Sequence, residues 1–228
     1  PDVSPLAIQG PKAEAVVVAL FGDWVRSLKH FGFQQTELQG IQLILARSGW
    51  SKQGGFELYL QDGKRGIELW NIVKAAGMSY GIRPGAPNDK ERIESGLVSY
   101  GADGRLQANP CNPFEISLGK LVNFNKEDDF VGRAALLQIK AEGPKRRRVG
   151  YVISCDAIPA SQHSLDVVNS KGEVVGILSE WIYSERFGSN LGVGMIINET
   201  IDISENLNIT WEGQPYRVKI KELPFIKV

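Results

Sequence analysis

The feature that most constrains this chain is a change of hydrophobic rhythm near Gly143-Pro144. Before that point, helical and strand-like patterns alternate; after it, only short strand-like runs remain. Val149 to Ser154, Leu165 to Val168, Val174 to Leu178, Leu191 to Ile197, Leu207 to Trp211 and Tyr216 to Ile220 read as strands, with turns at Lys171-Gly172 and Glu212-Gly213. Strands of this length and spacing predict a small antiparallel barrel or sandwich. The expected organisation is therefore α+β, with an α/β region over residues 1–143 and a β domain over 144–228.

Within the first region, Pro11 is placed to open a helix over Lys12 to Phe21. Val25, Leu28 and Lys29 suggest a second short helix, and Phe31 to Leu38 and Ile41 to Ala46 suggest two strands around a Gln39-Gly40 turn. Phe56 to Leu60 alternates cleanly, which places Glu57 and Tyr59 on one face of a strand. Ile67, Leu69, Trp70, Ile72 and Val73 fit an amphipathic helix ending at Gly77. Asn88 or Asp89 can cap a helix through Ile93 and Leu97, and Phe130 to Lys140 reads as a further helix.

Charge and composition exclude several partners. Lysine plus arginine equal aspartate plus glutamate at 26 each, so no net field recruits nucleic acid or an anionic membrane. The basic run Lys145-Arg146-Arg147-Arg148 stands without a wider basic surface and is expected to be a solvated linker. No apolar run reaches the ~18 residues needed to span a bilayer. Cys111 and Cys155 form neither a CxxC pair nor a disulfide framework, which fits a reducing cytoplasm. His30 and His163 give no metal-binding spacing, so no metal is expected. The chain opens on Pro1, and Asp2-Val3-Ser4-Pro5 reads as the interior of something longer.

The string Arg47-Ser48-Gly49-Trp50-Ser51-Lys52-Gln53-Gly54-Gly55-Phe56-Glu57-Leu58-Tyr59 is the most unusual in the chain. Glycines let backbone approach a flat ligand. Trp50 offers a π face to a cation such as a sulfonium, and Lys52 offers a point charge to a carboxylate. Glu57 can accept two parallel hydrogen bonds from an amino-pyrimidinone edge. A glycine-rich hairpin with an incidental aromatic explains the same string equally well, and Tyr59 also reads as a half-buried strand aromatic. The segment Gly81 to Gly101 reads first as a turn, a capped helix and a glycine stop; a helix start that holds a polar ring edge is the functional alternative.

Six elements in order resemble the glycine-cleavage T-protein (aminomethyltransferase) family. Gln9-Gly10-Pro11-Lys12-Ala13 resembles its "QGP-A" helix start, and Arg47 to Glu57 its "R-GYTGEDGFE" loop. Arg92-Ile93-Glu94-Ser95-Gly96-Leu97 with Tyr100-Gly101 resembles "RLEAGL-LYG". Asn112-Pro113-Phe114-Glu115 resembles "TPLEAGL", Asp129 to Leu136 resembles "DFIGK-AL", and Leu223-Pro224-Phe225 resembles the "LPF" that closes the family's barrel.

The resemblance implies a folate-binding α/β region followed by a small C-terminal antiparallel β-barrel, with tetrahydrofolate as cofactor. It implies a cofactor-binding role for Glu57, Asn88 and Glu94, though Asn88 stands where aminomethyltransferases have a folate-contacting arginine. Those enzymes also carry Gly-Glu-Asp where this chain has Lys52-Gln53-Gly54. That departure, with Trp50 and Tyr59, resembles the branch of the family that demethylates dimethylsulfoniopropionate. The implied reaction moves a methyl group from a sulfonium to N5 of tetrahydrofolate. Trp50 and Tyr59 would be catalytic, and Trp50, Lys52 and Tyr59 would hold the substrate. An aminomethyltransferase and a folate-binding protein without this activity are the alternatives. Family chains extend upstream of "QGP", and that portion walls part of the folate cavity. The isolated chain is therefore expected to fold but to be a poor enzyme, with uncovered apolar faces favouring a homodimer.

Overall fold

The computed structural model describes residues 3–49, 53–86, 88–104, 110–200 and 206–226. They form two compact units, residues 1–88 and 89–228.

The first unit is a four-stranded antiparallel sheet with helices on one face. Its strands are β1 (Ser4–Gln9), β2 (Phe33–Leu38), β3 (Ile41–Ala46) and β4 (Gly55–Leu60), ordered β1-β4-β3-β2. Helix α1 (Ala13–Phe21) and helix α2 (Gly66–Gly77) cover one face. Alternation explains the layering. Ile41, Leu43 and Leu45 of β3 and Phe56, Leu58 and Leu60 of β4 point to the helices and are fully buried. They meet Val16 and Val17 of α1 and Leu69 and Val73 of α2 in a single core. The expected second helix is a 3-10 segment, Asp23–Ser27. Strand β1 had no counterpart in the expected elements.

The second unit opens with α3 (Asp89–Glu94) and a π-helical turn, Tyr100–Gly104, then α4 (Arg133–Glu142). Strands β5 (Arg146–Ile153), β6 (Leu165–Val168), β7 (Val174–Ser184), β8 (Ser189–Ile197), β9 (Leu207–Trp211) and β10 (Gln214–Lys221) close into a barrel ordered β10-β5-β8-β7-β6-β9. The α+β class and the terminal barrel are thus as expected; β7 and β8 are longer than their sequence patterns suggested. Tyr151, Leu178, Trp181, Ile209 and Val218 fill the interior. Buried aromatics place their polar ends: Tyr151 Oη donates to the Met195 carbonyl at 3.0 Å, and Trp181 Nε1 donates to the Pro159 carbonyl at 3.0 Å.

The compact units divide after Asn88, earlier than the change of rhythm at Gly143. The reason is that α3 packs on the barrel, with Ile93 clustered with Ile182, Leu191 and Val193. The helix also stops sooner than expected. Gly96 is left-handed at φ 64, its N–H donates to Ile93 O, and Leu97 N–H donates to Arg92 O, a Schellman closure.

The solvated linker expected at Lys145 to Arg148 is overturned. Arg146, Arg147 and Arg148 belong to β5 and pair with Glu115, Glu222 and Asp103 respectively. Arg148 is buried, and so is a partner network around it. Arg148 Nε lies 2.9 Å from Asp103 Oδ2, Arg92 Nη1 lies 3.3 Å from Asp103 Oδ1, and Arg92 also pairs with Glu180 of β7. Carbonyls of Gly96 and Leu97 accept from Arg148 Nη1 and Nη2 at 3.0 and 3.2 Å. Burial pulls the Arg148 guanidinium below its usual pKa, against the opposing charge of Asp103. Each of these two guanidinium groups and two carboxylates is desolvated, and their mutual attraction at close range offsets that cost. No described helix is long and apolar enough to cross a membrane.

Candidate functional site

The face of the first unit's sheet that lies opposite the helices carries the candidate residues Glu57 and Tyr59. Register sets one row across all four strands: Ala7, Glu57, Ala46 and Phe33. The next row is Pro5, Tyr59, Ile44 and Gln35. Glu57 thus stands between two alanines, with no bulky neighbour on either adjacent strand. The face is open at its edge, where Phe33 is 68% exposed.

The carboxylate of Glu57 is held by two hydroxyls. Ser48 Oγ donates to Oε2, and Tyr59 Oη donates to the same oxygen at 3.2 Å. Oε1 accepts no hydrogen bond from the described residues. Removal from water raises the Tyr59 pKa, the negative charge of Glu57 raises it further, and Ser48 opposes the shift. The phenol is therefore protonated at neutral pH and serves as a donor.

Behind the carboxylate sits a second layer. Gln9, at the end of β1, directs its amide N–H groups to the carbonyls of Ser48 at 3.2 Å and Phe56 at 3.3 Å. A Cβ at Gly49 or Gly55 would overlap the Gln9 amide. These two glycines therefore make room for Gln9. Arg47 fixes the same strand end to α1 through Glu14 at 2.8 Å and lies over the Phe56 ring at 5.4 Å.

The residues singled out from sequence meet different fates. Glu57 and Tyr59 share a face and a hydrogen bond. Trp50 and Lys52 lie outside the described residues. Asn88 is exposed, just ahead of α3. Glu94 is buried in the second unit, where Ser184 Oγ donates to Oε1 at 2.6 Å and Arg186 lies 3.4 Å from Oε2. Ser48 and Gln9 were not assigned roles from sequence. Each stood inside a recognised motif, but only strand register reveals what they touch. Among the described residues no cluster of His, Cys, Asp and Glu could hold a metal.

The arrangement offers a carboxylate with one oxygen that accepts nothing from the described residues, a neutral phenol beside it and an alanine on each adjacent strand. That fits the amino-pyrimidinone edge of a pterin, which donates to a carboxylate. A bidentate grip would use Oε1 directly and share Oε2 with the two hydroxyls.

Comparison with known proteins agrees in both parts of the chain. The GCVT N-terminal domain matches residues 1–126, and the glycine cleavage T-protein C-terminal barrel domain matches residues 146–227. The chain belongs to the glycine cleavage T-protein family. Among T-protein relatives, a dimethylsulfoniopropionate demethylase from Ruegeria pomeroyi is 42% identical over 86% of this chain and 52% of its own length. Aminomethyltransferases from Caldanaerobacter subterraneus and Bacillus subtilis are 29% and 31% identical over 99% of this chain and 59% and 61% of theirs. The chain thus spans between half and two thirds of these relatives. The fold also matches the crystal structure of the glycine cleavage system aminomethyltransferase T from Bartonella henselae. The TM-score is 0.76 at 22% identity, covering 98% of this chain and 60% of that one.

Proposed function

We propose that this chain belongs to a tetrahydrofolate-dependent methyltransferase that takes a methyl group from a sulfonium, dimethylsulfoniopropionate, and places it on N5 of tetrahydrofolate. The observation that carries the reading is the 42% identity to a dimethylsulfoniopropionate demethylase, against 29% and 31% for aminomethyltransferases. The basic Lys52, where aminomethyltransferases carry an acidic triplet, supports the same choice.

Tetrahydrofolate, when bound, would supply the N5 lone pair for the methyl group; the S–C bond electrons would leave with the neutral thioether, and the N5 proton would pass to water. The protein's task is then alignment and exclusion of water. Glu57 anchors the pterin through Oε1, held still by Ser48 and Tyr59. Tyr59, neutral and two residues on, sits beside the sulfonium without offering it a competing nucleophile. Trp50 lends a π face to the cation, and Lys52 attracts the substrate carboxylate.

A second reading, an aminomethyltransferase, is favoured by coverage: those relatives match 99% of this chain, the demethylase 86%. Incubation with tetrahydrofolate and each donor, followed by mass spectrometry of the folate, separates the two. 5-Methyl-tetrahydrofolate supports the demethylase, and 5,10-methylene-tetrahydrofolate supports the second reading. Calorimetry that shows folate affinity but none for any sulfonium would replace both with a binding protein.

A further inference from the structure

The hydroxyl of Ser48 and the amide nitrogen of Gln9 both donate to neighbouring groups of the same sheet end. Gln9 bonds the Ser48 and Phe56 carbonyls at 3.2 and 3.3 Å, fixing the end of β3 against the start of β4. Two glycines, Gly49 and Gly55, leave the space that this amide fills, since a Cβ at either would overlap it. Ser48, whose carbonyl is thus pinned, turns its hydroxyl onto Glu57 Oε2, where Tyr59 also donates at 3.2 Å.

The chemistry of this chain of contacts is specific. A glutamate side chain has three rotatable bonds, and a free carboxylate on an open sheet face would sample many orientations. Two donors on one oxygen select a single orientation and leave the other oxygen for a ligand. Hydrogen bonds to an ionised acceptor are the strong kind, so the selection is firm. Ser48 touches no reacting atom; it acts through Glu57.

We propose that Ser48 and Gln9 are positioning residues that set the Glu57 carboxylate for an amino-pyrimidinone ligand, with Ser48 as the direct contact and Gln9 as its support. This rests on the reading of Glu57 as the pterin anchor.

The test compares Ser48→Thr with Ser48→Val, two side chains of nearly the same shape that differ in the hydroxyl. The probe is 5-formyl-tetrahydrofolate, titrated calorimetrically into the full chain, with thermal unfolding of each variant alongside. The expected result is affinity near that of the parent for Ser48→Thr and about tenfold weaker binding for Ser48→Val, at equal unfolding temperatures. Gln9→Leu should give a similar loss while Glu57→Gln in the same background adds little, since the carboxylate is already misplaced. If Thr and Val variants bind equally, whether both well or both poorly, the hydroxyl does not position Glu57 and the proposal falls, with the pterin reading intact as long as the parent binds. A parent chain that binds no folate overturns the reading and this role together.

Discussion

Tyr59 reaches back along its own strand to donate to Glu57 Oε2 at 3.2 Å, so one strand face carries the carboxylate and a donor that orients it. Removal from water and then the Glu57 charge raise the phenol's pKa, and the phenol steadies the carboxylate.

Glu57→Gln should therefore have two effects. Folate binding should weaken by about 1–3 kcal/mol, because a charged acceptor is replaced by a neutral amide that still presents a donor. The ionisation of Tyr59 should also move down toward the ordinary phenol value, since one of the causes of its elevation is gone. Calorimetry reads the first and alkaline absorbance of the phenolate, against a Tyr59→Phe control, reads the second. Unchanged folate affinity in a folded variant would remove Glu57 from the site.

Alkaline pH should destabilise the barrel through Tyr151. Burial raises its phenol far above the usual range. The unfolded chain releases this proton near pH 10 while the folded chain keeps it, so above about pH 10 the unfolded state binds fewer protons and stability falls with rising pH. Denaturant midpoints measured from pH 8 to 11 should decline, and Tyr151→Phe should flatten the decline. At neutral pH the same variant should lose only about 1 kcal/mol, the worth of its bond to the Met195 carbonyl. An unaltered slope would assign the alkaline loss to other groups.

Arg92→Met should be among the most damaging single changes in the second unit. Among the described residues it leaves buried Asp103 with Arg148 as its one charged partner and buried Glu180 without its guanidinium. Breaking a buried pair in this way costs about 3–5 kcal/mol. Urea unfolding at neutral pH measures it; a loss below 1 kcal/mol would show that the network contributes little.

Replacing Lys52 by methionine should raise KM for a sulfonium that bears a carboxylate and leave folate affinity alone. An exposed pair is worth only ~0.2–1 kcal/mol, a desolvated one more. Steady-state kinetics with dimethylsulfoniopropionate and with a sulfonium lacking the carboxylate decide it. Equal losses for both would mean that the lysine does not read that group.

Strands β3 and β4 and helices α1 and α2 were legible because burial on one side leaves a clear period in the residues themselves. Strand β1 was not. Its sequence, Ser4-Pro5-Leu6-Ala7-Ile8-Gln9, buries only Ile8 fully, and it is an edge strand whose pairing partner lies about fifty residues on. The Arg146 to Arg148 run misled for a related reason: each charge is neutralised by an acid distant in sequence, which local patterning cannot register. In the candidate site, Glu57 and Tyr59 were visible by alternation, but the Ser48 and Gln9 contacts depend on how β1, β3 and β4 align.

The buried group of Arg92, Asp103, Arg148 and Glu180 has an evolutionary corollary. Any one replacement strands an opposite charge in the interior, whereas a coordinated swap to apolar residues of matching volume need not. The positions therefore form one inherited word that single steps cannot respell. In a saturation scan of the second unit, these four should tolerate almost nothing alone, and tolerated combinations should change acid and base together. The barrel's surface would drift freely around that fixed point.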